Sequence, residues 1–97
     1  MTIGALKVRL RLPENQSLKG KRMVVKSIIA QVKNRFNVSV AEVEDQELWQ
    51  LATVGVTCVS NHGRHVDEVL SEVVNFIQGN TGDAEFLDYE IEIIRAL

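Results

Sequence analysis

Cys58, His62 and His65 stand in the spacing C-x3-H-x2-H, which could turn one thiolate and two imidazoles toward a single metal ion. The pattern lacks a fourth ligand of its own kind, because the chain holds one cysteine and two histidines. Cys58 alternates in register with Val54 and Val56, so its thiol is expected to point inward, away from the exposed, positive setting that a nucleophilic thiolate needs. His62 falls within the arc of Val69 and Val73 on the apolar side of a helix, and is expected to pack there beside an exposed His65. Ser17-Leu-Lys-Gly-Lys-Arg22 contains a Gly-Lys pair without the frame of a phosphate-cradling loop, so Ser17 reads as a helix cap. Gly20 within it reads as a cost to helix stability of about 1 kcal/mol. Asn61-His62-Gly63 offers free N–H groups at a helix mouth, as every capped helix does. These readings imply no catalytic residue, no metal and no cofactor, and they point to a binding protein rather than an enzyme.

The chemistry that does stand out is charge. Residues 1–37 carry nine Lys or Arg and only Glu14, whereas residues 38–97 carry Arg64 and Arg95 against twelve acids. Lys19, Arg22, Lys26 and Lys33 fall within about 60° on a helical wheel, with Lys21 in the first turn nearby. Phosphate contacts need only Lys and Arg presented on one surface, so these five are the candidate nucleic-acid-binding residues, directed at the ribosome or a structured RNA. The bland alternative pairs the stripe with Asp67, Glu68 and Glu72 of the other helix or with a neighbouring subunit. An overall pI near 5.6 argues against strong non-specific binding. A second candidate surface is Gln46, Trp49 and Gln50, a partner-binding tip where polar side chains and the lone tryptophan follow an acidic turn.

The elements that must position these residues follow from periodicity. Leu6, Val8, Leu10 and Leu12 alternate with Lys7, Arg9 and Arg11, giving a half-buried strand. After Pro13, the apolar residues Leu18, Val25, Ile28, Ile29, Val32 and Phe36 recur at helical spacing, predicting a helix over residues 17–36 with Asn37 as a left-handed C-cap. Val38, Val40 and Val43 predict a second strand, and Ala52, Val54, Val56 and Cys58 a third across a longish hairpin connection. A second helix capped by Ser60-Asn61 runs through Val66, Leu70, Val73 and Ile77 to Gly79. A last strand places Leu87, Tyr89, Ile91 and Ile93 on one face and Asp88, Glu90 and Glu92 on the other.

This βαββαβ order predicts an α+β ferredoxin-like sandwich over residues 1–97, with two helices on one face of a four-stranded antiparallel sheet. The first strand would then lie beside the fourth, setting Lys7, Arg9 and Arg11 against Asp88, Glu90 and Glu92. The open face should show Thr53, Gly55 and Thr57, with no ring for base stacking; burial against a second copy is another use of such a face, and a homodimer is expected with its interface unassigned. One cysteine precludes an internal disulfide. A beginning that runs straight into charged alternation, with no long apolar block, predicts a cytoplasmic protein without a membrane partner.

Ser17-Leu-Lys-Gly-Lys-Arg22, Asn34-Arg-Phe-Asn-Val-Ser-Val-Ala-Glu-Val43, Gln46-Glu-Leu-Trp-Gln50 and Val59-Ser-Asn61 together resemble the YlxP-like family of small bacterial proteins over nearly the whole chain. The resemblance implies a ferredoxin-like fold and transfers no catalytic residue. It also implies a setting among translation and ribosome-maturation genes, close to initiation factor two and ribosome-binding factor A. Where the family usually has Glu, this chain has Gly20, so the reciprocal capping box is absent.

Overall fold

The alternation of Leu6, Val8 and Leu10 with Lys7, Arg9 and Arg11 produces a strand buried along the whole of one face. The structure, a computed structural model describing all residues 1–97, places β1 at Thr2–Arg11, α1 at Leu18–Arg35, β2 at Ser39–Glu44, β3 at Leu51–Ser60, α2 at Gly63–Gln78 and β4 at Glu85–Arg95. The sheet is antiparallel in the order β2-β3-β1-β4. This is the ferredoxin-like arrangement that the element order predicts, with β1 and β3 central and both helices on one face.

Leu6, Val8 and Leu10 of β1 and Val54 and Val56 of β3 meet Val25, Ile28 and Val32 of α1 and Val66, Leu70, Val73 and Ile77 of α2 in one continuous core. Each fully buried aliphatic side chain contributes on the order of 1.5–3 kcal/mol relative to exposure. Gly4 allows α2 to approach β1, for a Cβ there would collide with Val66 and reach within 2.7 Å of Leu70 Cδ1. At the far end, Phe36 and Phe76 meet edge to face at 5.8 Å, and the Arg35 guanidinium lies 5.0 Å over the Phe76 ring.

Several local expectations are corrected. Helix α1 ends at Phe36 in extended conformation, and the left-handed region is occupied by Asp45 and Gly82, so Asn37 is not a left-handed cap. The N-cap of α2 is His62, exposed and without a side-chain capping bond; Ser60 Oγ instead accepts from the His62 N–H at 3.3 Å. His62 therefore stands ahead of the helix's apolar arc rather than packing within it. A register shift opposite Arg9 and Leu10 takes the pairing from Asp88 to Phe86, skipping Leu87. One extra residue inverts the alternation, so Phe86 packs on the core while Leu87 is exposed.

Candidate nucleic-acid interface

The nine cations of the first 37 residues separate into distinct environments. On the open sheet face, Arg9 donates to Asp88 with Nε to Oδ1 at 2.8 Å, Arg11 lies 3.3 Å from Glu85, and Lys7 reaches Glu44 at 3.1 Å. The predicted juxtaposition of β1 cations with β4 acids is present: Lys7 is in register with Glu90 and Arg9 with Asp88. The Lys7 side chain nonetheless turns across the sheet to Glu44, and the β4 bulge hands Arg11 to Glu85. The hydrogen bond and charge of Arg9 hold the Asp88 carboxyl below the usual aspartate range, and those of Glu44 push the Lys7 ammonium up.

Lys21 is a correction to the predicted phosphate surface. Its side chain is fully buried, and the ammonium donates to the carbonyls of Asp45 at 2.6 Å and Leu51 at 3.0 Å. Glu42 Oε2 lies 3.0 Å away, off any hydrogen-bond direction, and supplies the compensating charge. A cation so enclosed cannot meet a phosphate. Its spacing carried the signal: Lys21, Val25, Ile28 and Val32 follow i, i+4, i+7, i+11, which puts Lys21 in the middle of the apolar stripe. Glu42 likewise shares the inward side of β2 with Val40, so each buried charge announces a partner.

Lys19, Arg22, Lys26 and Lys33 remain. All four are exposed, and none forms an ion pair within the chain. The suggested pairing with the second helix is not made; Glu68 binds Arg64 of its own helix at 3.3 Å instead. The structure thus cancels the charge on the sheet and leaves it uncancelled along one side of α1.

The second candidate surface adjoins the start of that stripe. Trp49 is 52% exposed and Leu48 is 45% exposed. The backbone beneath them is tied down: Asn15 Nδ2 donates to the carbonyls of Trp49 and Ser17, both at 2.6 Å, and Gln50 Nε2 returns a bond to Asn15 O at 3.2 Å. Gln46 donates to Glu42 O at 3.3 Å. Gln46 and Gln50 thereby hold the connection, and Trp49 is the side chain it displays. Gly20 gains a role that the sequence concealed, since a Cβ there would collide with Asn15 Oδ1.

Cys58 packs partly against the core, and burial pushes its thiol up, away from the thiolate. His62 and His65 are both exposed, and no three His, Cys, Asp or Glu side chains converge as a ligand set. The open face differs in two places from expectation: Thr53 is fully buried, because Asp45, at φ 61°, lays its carboxylate over the Thr53 hydroxyl at 2.9 Å. Gly55 is roofed by Val43, whose Cγ1 would lie 2.7 Å from an added Cβ.

A family model described as a protein of unknown function, DUF503, matches residues 3–91. The chain belongs to that family. Within its range fall α1 with the uncancelled cations, the buried Lys21–Glu42 pair and the Trp49 connection. The chain is 41% identical over 61 residues to "Uncharacterized protein YlxP" of Bacillus subtilis (strain 168), a match covering 63% of this chain and 66% of that protein. The YlxP resemblance read from the sequence is therefore supported. Among solved structures, Rv0793 from Mycobacterium tuberculosis is similar at a TM-score of 0.56 and 10% identity, covering 100% of this chain and 96% of that one. The de novo designed protein Foldit4 is similar at 0.53 and 14%, covering 98% and 99%. At these identities the likeness is one of fold.

Proposed function

We propose that this protein works by binding rather than by catalysis, and that it associates with the ribosome or a structured RNA through Lys19, Arg22, Lys26 and Lys33. The observation that carries the reading is the exposure of all four without an intramolecular carboxylate. Cations that gain nothing from their own chain are free to replace the counterions of a polyanion, and their common helical side matches a continuous row of phosphates. Recognition is of backbone charge, and the acidic remainder of the molecule limits indiscriminate binding. The setting implied by the YlxP-like resemblance, among translation genes, agrees with a ribosomal partner in the cytoplasm. No helix is long and apolar enough to cross a membrane.

Co-sedimentation with ribosomal subunits over a salt series tests this. Binding should weaken linearly in log salt, and replacing Lys19, Arg22 and Lys26 together by Gln should flatten the slope by about one unit per lost contact. A triple variant that sediments like the parent overturns it.

A second reading has its own observation. One end of the open face carries a cross-strand apolar row of Val59, Ile3 and Ile94, with Val59 65% and Ile94 42% exposed. Beside it lies a shallow trough floored by Ala5, Ala41, Gly55 and Thr57. A surface of this kind favours burial against a second copy, making a homodimer that meets protein partners through this face or the Trp49 connection. Sedimentation equilibrium of the parent and of Val59→Glu decides it: a parent monomeric across concentration removes the dimer.

A further inference from the structure

We propose that the free edge of β4 takes an added strand from a partner protein, an extended segment in which lysines or arginines alternate with aliphatic residues. The inference is independent of the phosphate-binding reading of α1 and gives the molecule a second surface, directed at protein.

The sheet ends in β2 on one side and β4 on the other, and the two edges differ. β2 is blunted: it is 6 residues long, and its pairing with β3 shifts register between Glu42 and Glu44. β4 is 11 residues long, and its pairing with β1 runs unbroken from Arg9 opposite Asp88 to Thr2 opposite Arg95. No hydrogen bond outside the ladder with β1 reaches the backbone of residues 85–95, so the N–H and C=O groups on the outer side of β4 have no partner within the chain. Neither proline nor lysine interrupts this edge. Its helix-side face is only half covered as well: Tyr89 and Ile93, in register with Val8 and Gly4, are 49% and 40% exposed. Apolar side chains of an added strand would cover both.

Charge along the strand selects the occupant. β4 presents Asp88, Glu90 and Glu92 at alternate positions on the open face, and Tyr89, Ile91 and Ile93 on the other. Its inner neighbour shows which strand answers that pattern, for β1 sets Arg9 opposite Asp88, Lys7 opposite Glu90, Val8 opposite Tyr89 and Leu6 opposite Ile91. β1 meets the demand only in part: Lys7 turns away to Glu44, and neither Glu90 nor Glu92 forms an ion pair. A strand on the outer edge would reach the same acids from the opposite side with cations of its own. β1 of a second copy cannot be that strand, because it is already paired on both sides. β4 of a second copy is opposed by charge. Two-fold pairing of edges keeps each residue on its own face, so a register overlapping most of the two strands sets acid against acid. The edge thus turns away its own kind, while offering main-chain bonds and alternate acidic and apolar contacts to a basic strand.

A labelled, end-capped peptide with the sequence of Leu6–Leu12 carries the required alternation and is the probe, titrated against the intact protein by fluorescence anisotropy. It should bind saturably. Glu90→Lys and Glu92→Lys made together should weaken that binding about tenfold and confer binding of the same peptide with glutamates in place of its cations. Both acids are exposed and unpaired, so the double variant should keep the parent's circular dichroism. A second test leaves the protein untouched: N-methylation of one alternate set of peptide amides should abolish binding, and methylation of the other set should spare it, because only one set faces the edge. Alternate amides of residues 88–94 should also exchange more slowly when the unmethylated peptide is bound. A peptide that binds the parent and the charge-reversed protein equally, or that ignores which amides are methylated, overturns the added strand. Absence of binding at low salt overturns it too, and leaves the α1 reading standing.

Discussion

The Lys21 ammonium lies 3.0 Å from the Glu42 carboxylate with its side chain wholly enclosed, joining the first turn of α1 to the inner side of β2. Removing one member strands the other charge and the Asp45 and Leu51 carbonyls in the interior. Lys21→Met should therefore destabilise the protein by about 3–5 kcal/mol. Urea melts of Lys21→Met, Glu42→Leu and the double variant check it. The double variant should be less damaged than the sum of the two singles, because the stranded charge is then gone.

Gly4 sets the spacing between α2 and the sheet. A methyl group there would meet Val66 and Leu70, both fully buried side chains with no empty space to retreat into. Gly4→Ala should cost about 1–3 kcal/mol through overpacking, despite the higher strand propensity of alanine. Val66→Ala made in the same chain should recover part of the loss, which a double-variant melt series measures.

The Arg9–Asp88 pair makes a prediction for acid. Asp88 titrates below its ordinary range in the folded chain, so its contribution is complete above the unfolded value and is lost as pH falls through the lower folded one. The melting temperature of Asp88→Asn should lie below that of the parent at neutral pH. The two curves should converge in the acid range below the ordinary aspartate value, and also in high salt, since both side chains are solvent-exposed.

Cys58 should be a slow thiol. Its burial raises the proton affinity of the sulfur, so alkylation by iodoacetamide near neutral pH should run below the rate of a free cysteine and rise with pH beyond the point where that rate levels. Mass spectrometry of timed samples follows it; labelling at or above the free-thiol rate would refute the assignment.

Elements set by periodicity could be read directly. The alternation of Leu6, Val8 and Leu10 with three cations specified β1, and the spacing of Val66, Leu70, Val73 and Ile77 specified α2. What escaped depends on exceptions to periodicity. The bulge that exposes Leu87 inserts a single residue and leaves no compositional mark, since Phe86 and Leu87 are equally apolar. His62 was displaced because the helix starts two residues later than its hydroxyl cap candidate implied. In the candidate site, Lys19, Arg22, Lys26 and Lys33 were legible from the wheel. Lys21 was misread because proximity in sequence outweighed its angular position. Gly20 keeps its helix cost, and the clearance it gives the Asn15 amide is a contact that no rule of helix propensity contains.

The uneven cancellation of charge also bears on how the molecule arrives at a partner. Every cation on the open sheet face is matched by an acid, and Glu90 and Glu92 remain there without an ion-pair partner, while the cations on one flank of α1 stand alone. Positive and negative ends are thus separated across the thickness of one small fold. In the field of a polyanion such a body turns before it touches, presenting α1 first. Encounter is then faster than random orientation allows, and added salt should slow arrival far more than it hastens departure.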